Sequence, residues 1–185
     1  MFERIPPPTK SRGILLRDPE KLVKEILAGA EENGAETKAI NLAKLEIKPC
    51  KACYACKEEG ICVIDDEMQP LYDEIQAADA IVIGSPIYMW EITAQTKLFV
   101  DRLMSFIKPD FSTRLNGNKK LVFAFTQGNP DPASFKPYFE YMEKLFGFLH
   151  FDVQGSIVAA GTHEKDDILQ QAEVLEKAKE IGKKL

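Results

Sequence analysis

The chain has 185 residues, of which 45% are hydrophobic and 29% charged, enough apolar material for one ordinary domain core and too much for a disordered or fibrous chain. The formal net charge is −5, from 24 basic and 29 acidic residues with interspersed signs, which excludes the basic stripe that a nucleic-acid partner requires. No apolar run approaches the roughly 20 residues of a membrane span and the chain opens without a signal-peptide pattern, so a cytoplasmic protein with no membrane partner is expected.

The first nineteen residues, MFERIPPPTKSRGILLRDP, hold three consecutive prolines and one short apolar run, Ile14–Leu16. Proline donates no sheet hydrogen bond, so residues 6–8 are not a central strand, and Gly13–Leu16 forms at best a short one. A helix is predicted over Glu20–Asn33, with Leu22, Val23, Ile26, Leu27 and Ala30 on one side. Asp18-Pro19 supplies its N-cap and first-turn proline, and Asn33-Gly34 its C-cap. Strands are predicted at Glu36–Leu42, Ala80–Ser85, Lys120–Gln127 and Val153–Gly161, the second and third as near-continuous apolar runs of the kind covered on both faces. Helices are predicted between and after them at Met68–Ala78, Thr93–Ile107, Ser134–Phe148 and Glu164–Lys184. The alternation points to a single α/β domain over 1–185, a three-layer sandwich with a mostly parallel five-stranded sheet whose first strand is short or degenerate.

All four cysteines fall between residues 50 and 62, as C-x2-C-x2-C-x5-C: Cys50, Cys53, Cys56 and Cys62. Cysteines that staple a domain are scattered along it; these are gathered for one local task. Four thiolates complete a [4Fe–4S] site. Zinc is the nearest alternative, although its usual form is two C-x2-C pairs with a longer loop between, and free thiols or redox pairs remain a third reading. Pro49 and Gly60 add turn chemistry that a helix or strand would not tolerate. The weakly apolar segment Cys50–Glu59 would place a cluster near the surface, where electrons can be exchanged with another centre.

The segment Asn41–Cys50, the four-cysteine loop, Asp65-Asp66-Glu67-Met68, and Gly84-Ser-Pro-Ile-Tyr-Met-Trp90 continuing through Ala94, Lys97, Phe99, Asp101 and Arg102 resemble the iron–sulfur flavoprotein branch of the NAD(P)H-dependent FMN reductase family. The resemblance runs from about Glu20 to the C-terminus. It implies a flavodoxin-like fold, bound FMN, a [4Fe–4S] cluster on Cys50, Cys53, Cys56 and Cys62, and a homodimer or homotetramer with flavin near the subunit interface. It also implies electron transfer between a low-potential donor, such as a ferredoxin-like protein or NAD(P)H, and an acceptor. A cluster-free NAD(P)H-dependent FMN or quinone reductase is the enzymatic alternative. A non-catalytic, flavin-free paralogue that binds zinc or a partner through the cysteine loop is the other.

The second motif follows the apolar strand Ala80–Gly84 at its C-terminal end, where open α/β sheets bind ligands. Gly84 and Pro86 are expected to set a tight turn there. The flavin candidates are Ser85, Pro86, Ile87, Tyr88, Met89 and Trp90, with Thr126, Gln127 and Gly128 from the end of the next strand. The aromatics Tyr88 and Trp90 suit ring contacts, and equally core or interface packing. The family's G-S-P-R-x-x-G-N-T phosphate loop has no counterpart here: Thr9–Pro19 reads TKSRGILLRDP, with Asp18 where an anion would dock and only Ser11, Arg12 and Arg17 to compensate. A natural variant that has lost tight FMN binding and a shifted reading frame or start site both account for such a stretch.

His163, in a loop before the last helix, is expected to be exposed, with an approach to flavin as the other reading; His150 is expected to be half-buried between Phe148 and Phe151. Asp65, Asp66 and Glu67 read as a solvated turn and helix start. Asp101-Arg102 reads as structural hydrogen bonding, and no catalytic side chain is assigned, because a cofactor would carry the chemistry.

Overall fold

The computed structural model describes residues 10–15 as backbone, and 19–164 and 166–185 in full. The polyproline stretch and residues 9 and 16–18, with Arg17 and Asp18 among them, lie outside the described residues, as do the side chains of Ser11 and Arg12.

Strand β1 (Lys10–Leu15) runs parallel to both β2 (Glu36–Asn41) and β3 (Ala80–Tyr88). With β5 (Lys120–Gln127) and β6 (Asp152–Ala160) the described strands form a parallel sheet in the order β2-β1-β3-β5-β6. The first strand is therefore short but central, starting three residues earlier than Gly13, and Ile14 still pairs with Ile83 of β3.

Alternation along β3 and β5 sorts the core into two layers. Ile81, Ile83, Leu121, Phe123 and Phe125 face one way, toward α3 (Gln69–Ala77), α4 (Ala94–Arg102) and α5 (Lys136–Phe148). Val82, Val122 and Ala124 face the other, toward α1 (Glu20–Glu32) and α6 (Ala172–Gly182). Both faces are covered, which is why these strands read as unbroken apolar runs.

Helix α1 ends as the sequence indicates. Gly34 takes φ +86°, its N–H donates to Glu31 O at 2.9 Å and that of Ala35 to Ala30 O at 3.0 Å, a Schellman closure. Elsewhere the boundaries shift for local reasons. The helix expected to Ile107 becomes α4 plus a 3₁₀ turn, Leu103–Phe106. The last helix is split: a 3₁₀ turn, Asp167–Gln170, precedes α6 because the Asp167 carboxylate accepts from the His163 and Glu164 N–H groups at 2.8 Å and winds the chain tighter. A short helix α2 (Ala55–Glu59) lies inside the cysteine loop, where no helix is expected, and Gly60 closes it at φ +83°.

The largest departure concerns the end of β3. No turn forms at Gly84–Pro86: the strand continues to Tyr88 and folds back through Met89 and Trp90 to β4 (Glu91–Ile92), pairing Ile87 with Ile92 and Tyr88 with Glu91. Gly84 is needed for another reason. A Cβ on it would lie 2.7 Å from Val23 Cγ2 and 3.1 Å from Pro19 Cγ, so the residue lets the start of α1 press against the strand.

Candidate functional site

The parallel strands β3 and β5 end side by side, and the space beyond the carboxyl ends of such strands is where open α/β sheets hold ligands. A cleft opens there, lined by Pro86, Ile87 and Tyr88 of β3, Thr126, Gln127 and Gly128 after β5, and Thr162, His163, Glu164 and Ile168 after β6. Six of the nine flavin candidates from the sequence thus share one cleft. Ser85 lies beneath it, fully buried, its Oγ accepting from Thr93 N at 3.2 Å and bonded to Thr96 Oγ1 at 3.3 Å, which anchors the start of α4. Met89 and Trp90 form the tip of the β3–β4 hairpin, both at positive φ (+49° and +69°) and 84% and 68% exposed.

Gln127 and Gly128 set the character of the cleft. Gln127 Nε2 donates to Asn129 O at 3.0 Å and Asp131 O at 2.8 Å, which fixes the amide and leaves Oε1 buried with no partner among the described residues. Such an acceptor fits a ligand N–H. Gly128 has no side chain because a Cβ would stand 3.1 Å from His163 Cε1, so the imidazole packs against the backbone of that loop. The enclosed volume is about 80 Å³, below the roughly 300–1,000 Å³ of a fully enclosing cofactor site, so a ring held here is covered on one side only. His163 is exposed, as expected, yet walls the cleft; its position relative to Gly128 depends on the Thr162 N–H donating to Gln127 O at 3.0 Å, a long-range bond with no mark in the sequence.

A second cavity, of about 320 Å³, is lined by Cys50, Ala52, Tyr54, Cys56, Lys57 and Cys62 from the cysteine loop, by Asp101 and Arg102 from the end of α4, and by Met104 and Ser105 from the 3₁₀ turn after it. All four cysteines are free thiols; Cys50 and Cys53 are exposed, Cys56 and Cys62 half-buried. Burial pushes the Cys56 thiol up, while the Lys57 ammonium acts the other way. Ala52 and Tyr54 both sit at positive φ (+52° and +58°), flanking Cys53, an alternation that curls the backbone around the cavity and is held at a cost in each non-glycine residue. Among the described residues no group of three or more His, Cys, Asp or Glu is gathered tightly enough for a single metal ion. The donor set and the space match a larger sulfur-rich group better, since each thiolate of a cluster binds its own iron while four thiolates on zinc crowd one point at about 2.3 Å.

The loop is held at its roots by one arginine. Arg102 is 2% exposed; Nη1 donates to Lys48 O at 2.9 Å and Asp66 Oδ2 at 2.6 Å, Nη2 to Asp66 Oδ1 at 3.1 Å and Ile64 O at 3.4 Å. Asp66 in turn accepts from the Lys48 N–H at 2.8 Å, and Gln69 Nε2 donates to Cys62 O and Ile64 O, both at 2.7 Å. Residues just before Cys50 and just after Cys62 are thereby tied together. The acidic run is the turn before α3 that the sequence indicates, with Asp65 and Glu67 exposed, but Asp66 is not solvated: burial works against its charge, while hydrogen bonds from Arg102, Lys48 and Met68 hold its carboxyl below the usual range. Asp101, by contrast, faces out and pairs with Lys97 at 2.6 Å. His150 is exposed rather than half-buried, bonded through Nε2 to Phe111 O at 2.9 Å; its positive φ (+67°) swings it away from the buried Phe151.

The sheet order, the two helical layers and a cleft at the carboxyl ends of the strands define a flavodoxin-like α/β protein. Among solved structures, an NAD(P)H:quinone oxidoreductase from Methanothermobacter marburgensis superposes with a TM-score of 0.77 over 96% of both chains at 14% identity, which establishes the fold. The NADPH-dependent FMN reductase family profile matches residues 18–159, and the chain belongs to that family. It is 38% identical over 95 residues to an iron-sulfur flavoprotein of Methanosarcina thermophila (51% of this chain, 50% of that one). It is 43% identical over 81 residues to one of Methanocaldococcus jannaschii (44% and 42%). The chain thus matches about half the length of these curated relatives. No described helix is long and apolar enough to cross a membrane.

Proposed function

We propose that this chain is an FMN-dependent oxidoreductase that carries a [4Fe–4S] cluster on Cys50, Cys53, Cys56 and Cys62 and passes electrons between a low-potential donor and an acceptor. The donor is a ferredoxin-like protein or NAD(P)H. Bound FMN supplies one- and two-electron chemistry and a thiolate-held cluster one-electron chemistry. The observation that carries the reading is the roughly 320 Å³ cavity that Cys50, Cys56 and Cys62 line together, with Cys53 on the intervening curl of backbone. The names of the relatives support the same assignment.

The residues divide the work. Gln127 Oε1 accepts an N–H of the flavin ring, Gly128 lets the ring approach the backbone, and Pro86, Ile87, Tyr88 and Thr126 form the rest of the bed. Ser85 holds that bed to α4, and Met89 and Trp90 cover the open side of the ring or the equivalent surface of a second copy in a homodimer or homotetramer. Reduced thiols on an exposed loop suit the cytoplasm.

Anaerobic purification followed by an absorption spectrum and assays of iron, sulfide and flavin tests the proposal. Flavin with about four iron and four sulfide per chain is expected. Flavin without iron means a cluster-free NAD(P)H-dependent FMN or quinone reductase. Zinc with neither means a non-catalytic paralogue.

A further inference from the structure

Arg102 uses two of its three guanidinium nitrogens to fasten the cysteine loop, and the third has no partner. Nη1 and Nη2 are engaged by Lys48, Ile64 and Asp66, whereas Nε is buried with no hydrogen-bond partner among the described residues. A buried charged donor left unmatched is costly, and native proteins keep few of them. Arg102 is also one of the residues around the cavity that Cys50, Cys56 and Cys62 line. The bidentate pair with Asp66 fixes the plane of the guanidinium, and the Tyr72 hydroxyl beside it donates to the Arg102 carbonyl at 3.1 Å.

Resting on the cluster assignment above, we propose that Arg102 is a positioning and tuning residue of the cysteine site: its Nε–H donates a hydrogen bond to a sulfur of the group that the four cysteines hold. Hydrogen bonds to sulfur withdraw electron density from a cluster and raise its reduction potential. The Asp66 carboxylate cancels the formal charge of the guanidinium, so what reaches the cavity is a directed N–H rather than a bare positive charge. One residue thereby sets both the closure of the loop and the ease with which its cargo accepts an electron. A lysine at 102 keeps the charge but offers neither Nε–H nor the two-pronged grip.

The test uses the anaerobically purified, iron-loaded protein with arginine ¹⁵N-labelled at the guanidinium. The reduced cluster is expected to show an arginine nitrogen hyperfine coupling by pulsed electron paramagnetic resonance. In Arg102→Lys that coupling disappears and the midpoint potential falls by the equivalent of about tenfold in the reduction equilibrium, about 59 mV for one electron. If the wild-type cluster shows no coupled arginine nitrogen, the hydrogen bond is refuted while the cluster stands, and this measurement needs no variant to fold. An unchanged potential in an iron-loaded Arg102→Lys refutes it equally. Wild-type protein without iron or sulfide overturns the cluster assignment itself, and the role of Arg102 with it.

Discussion

Arg102 reaches from the last turn of α4 to Asp66, 36 residues earlier, and grips its carboxylate with two hydrogen bonds of 2.6 and 3.1 Å in a setting where both side chains are at most 1% exposed. The pair closes the cysteine loop as a clasp closes a ring, because Lys48 at the entrance bonds to both partners. Removing one member strands the other charge. Asp66→Ala is expected to destabilise the fold by about 3–5 kcal/mol, measured by urea unfolding.

The pH dependence of that contribution has a definite sign. The folded carboxyl is held below its unfolded value of about 3.9, so the contribution is complete above that pH and is lost as pH falls through the lower folded value. Urea midpoints of wild type and Asp66→Ala are expected to stay apart at neutral pH and to converge as pH falls below the unfolded value of about 3.9.

Gly84→Ala places a methyl 2.7 Å from Val23 Cγ2, on the line where α1 meets β3. Neither a packed valine nor the Pro19 ring can yield freely, so the helix start must lift. A loss of about 1–3 kcal/mol is expected from overpacking, read as a lower denaturation midpoint with an unchanged slope.

The Met89-Trp90 turn needs positive φ at both central residues, a geometry for which Asn-Gly is the natural pair. Exchanging the two residues for Asn-Gly is expected to stabilise the fold by about 2 kcal/mol, raising the melting temperature by roughly 4–8 °C. The same exchange removes the exposed aromatic and thioether from the hairpin tip, and, on the proposed FMN site, weaker FMN binding is expected in a fluorescence titration. Tighter binding in the exchanged protein would show that the tip obstructs the ring.

Gly128→Ala forces the His163 imidazole to give way by a few tenths of an ångström and narrows the cleft. FMN affinity is expected to fall about tenfold, and His163→Ala added to Gly128→Ala is expected to restore it, a coupling of about 1 kcal/mol in a double-mutant cycle. Additive effects of the two changes would show that they act on the flavin independently.

The alternation of apolar strands and amphipathic helices made the layers legible in the sequence, since each strand covered on both faces must be apolar at every position and each covering helix on one stripe only. The cysteine spacing marked its loop because thiolates at such intervals serve little else. What stayed hidden depends on partners distant in the chain. Asp66 looks like any acid near a helix start until Arg102 folds over it, and His163 looks like a solvated loop residue until β5 and β6 bring it against Gly128. The hairpin at Met89-Trp90 escaped because it breaks the local rule: two bulky residues occupy the positions that turn chemistry assigns to asparagine and glycine. The short helix Ala55–Glu59 escaped for the opposite reason, since one and a half turns leave too little periodicity to read.

Helix α4 begins under the cleft at the ends of β3 and β5, where Ser85 holds Thr93 and Thr96, and ends at the cysteine cavity with Arg102. It is nine residues long, a rod of about 13 Å at 1.5 Å per residue. The separation of the two sites is therefore set by the pitch of a helix and not by the length of any loop. The cysteine loop can be lengthened without changing that distance. One residue inserted in α4 would do what no loop change could: it would turn Arg102 by about 100° and uncouple the two halves of the molecule.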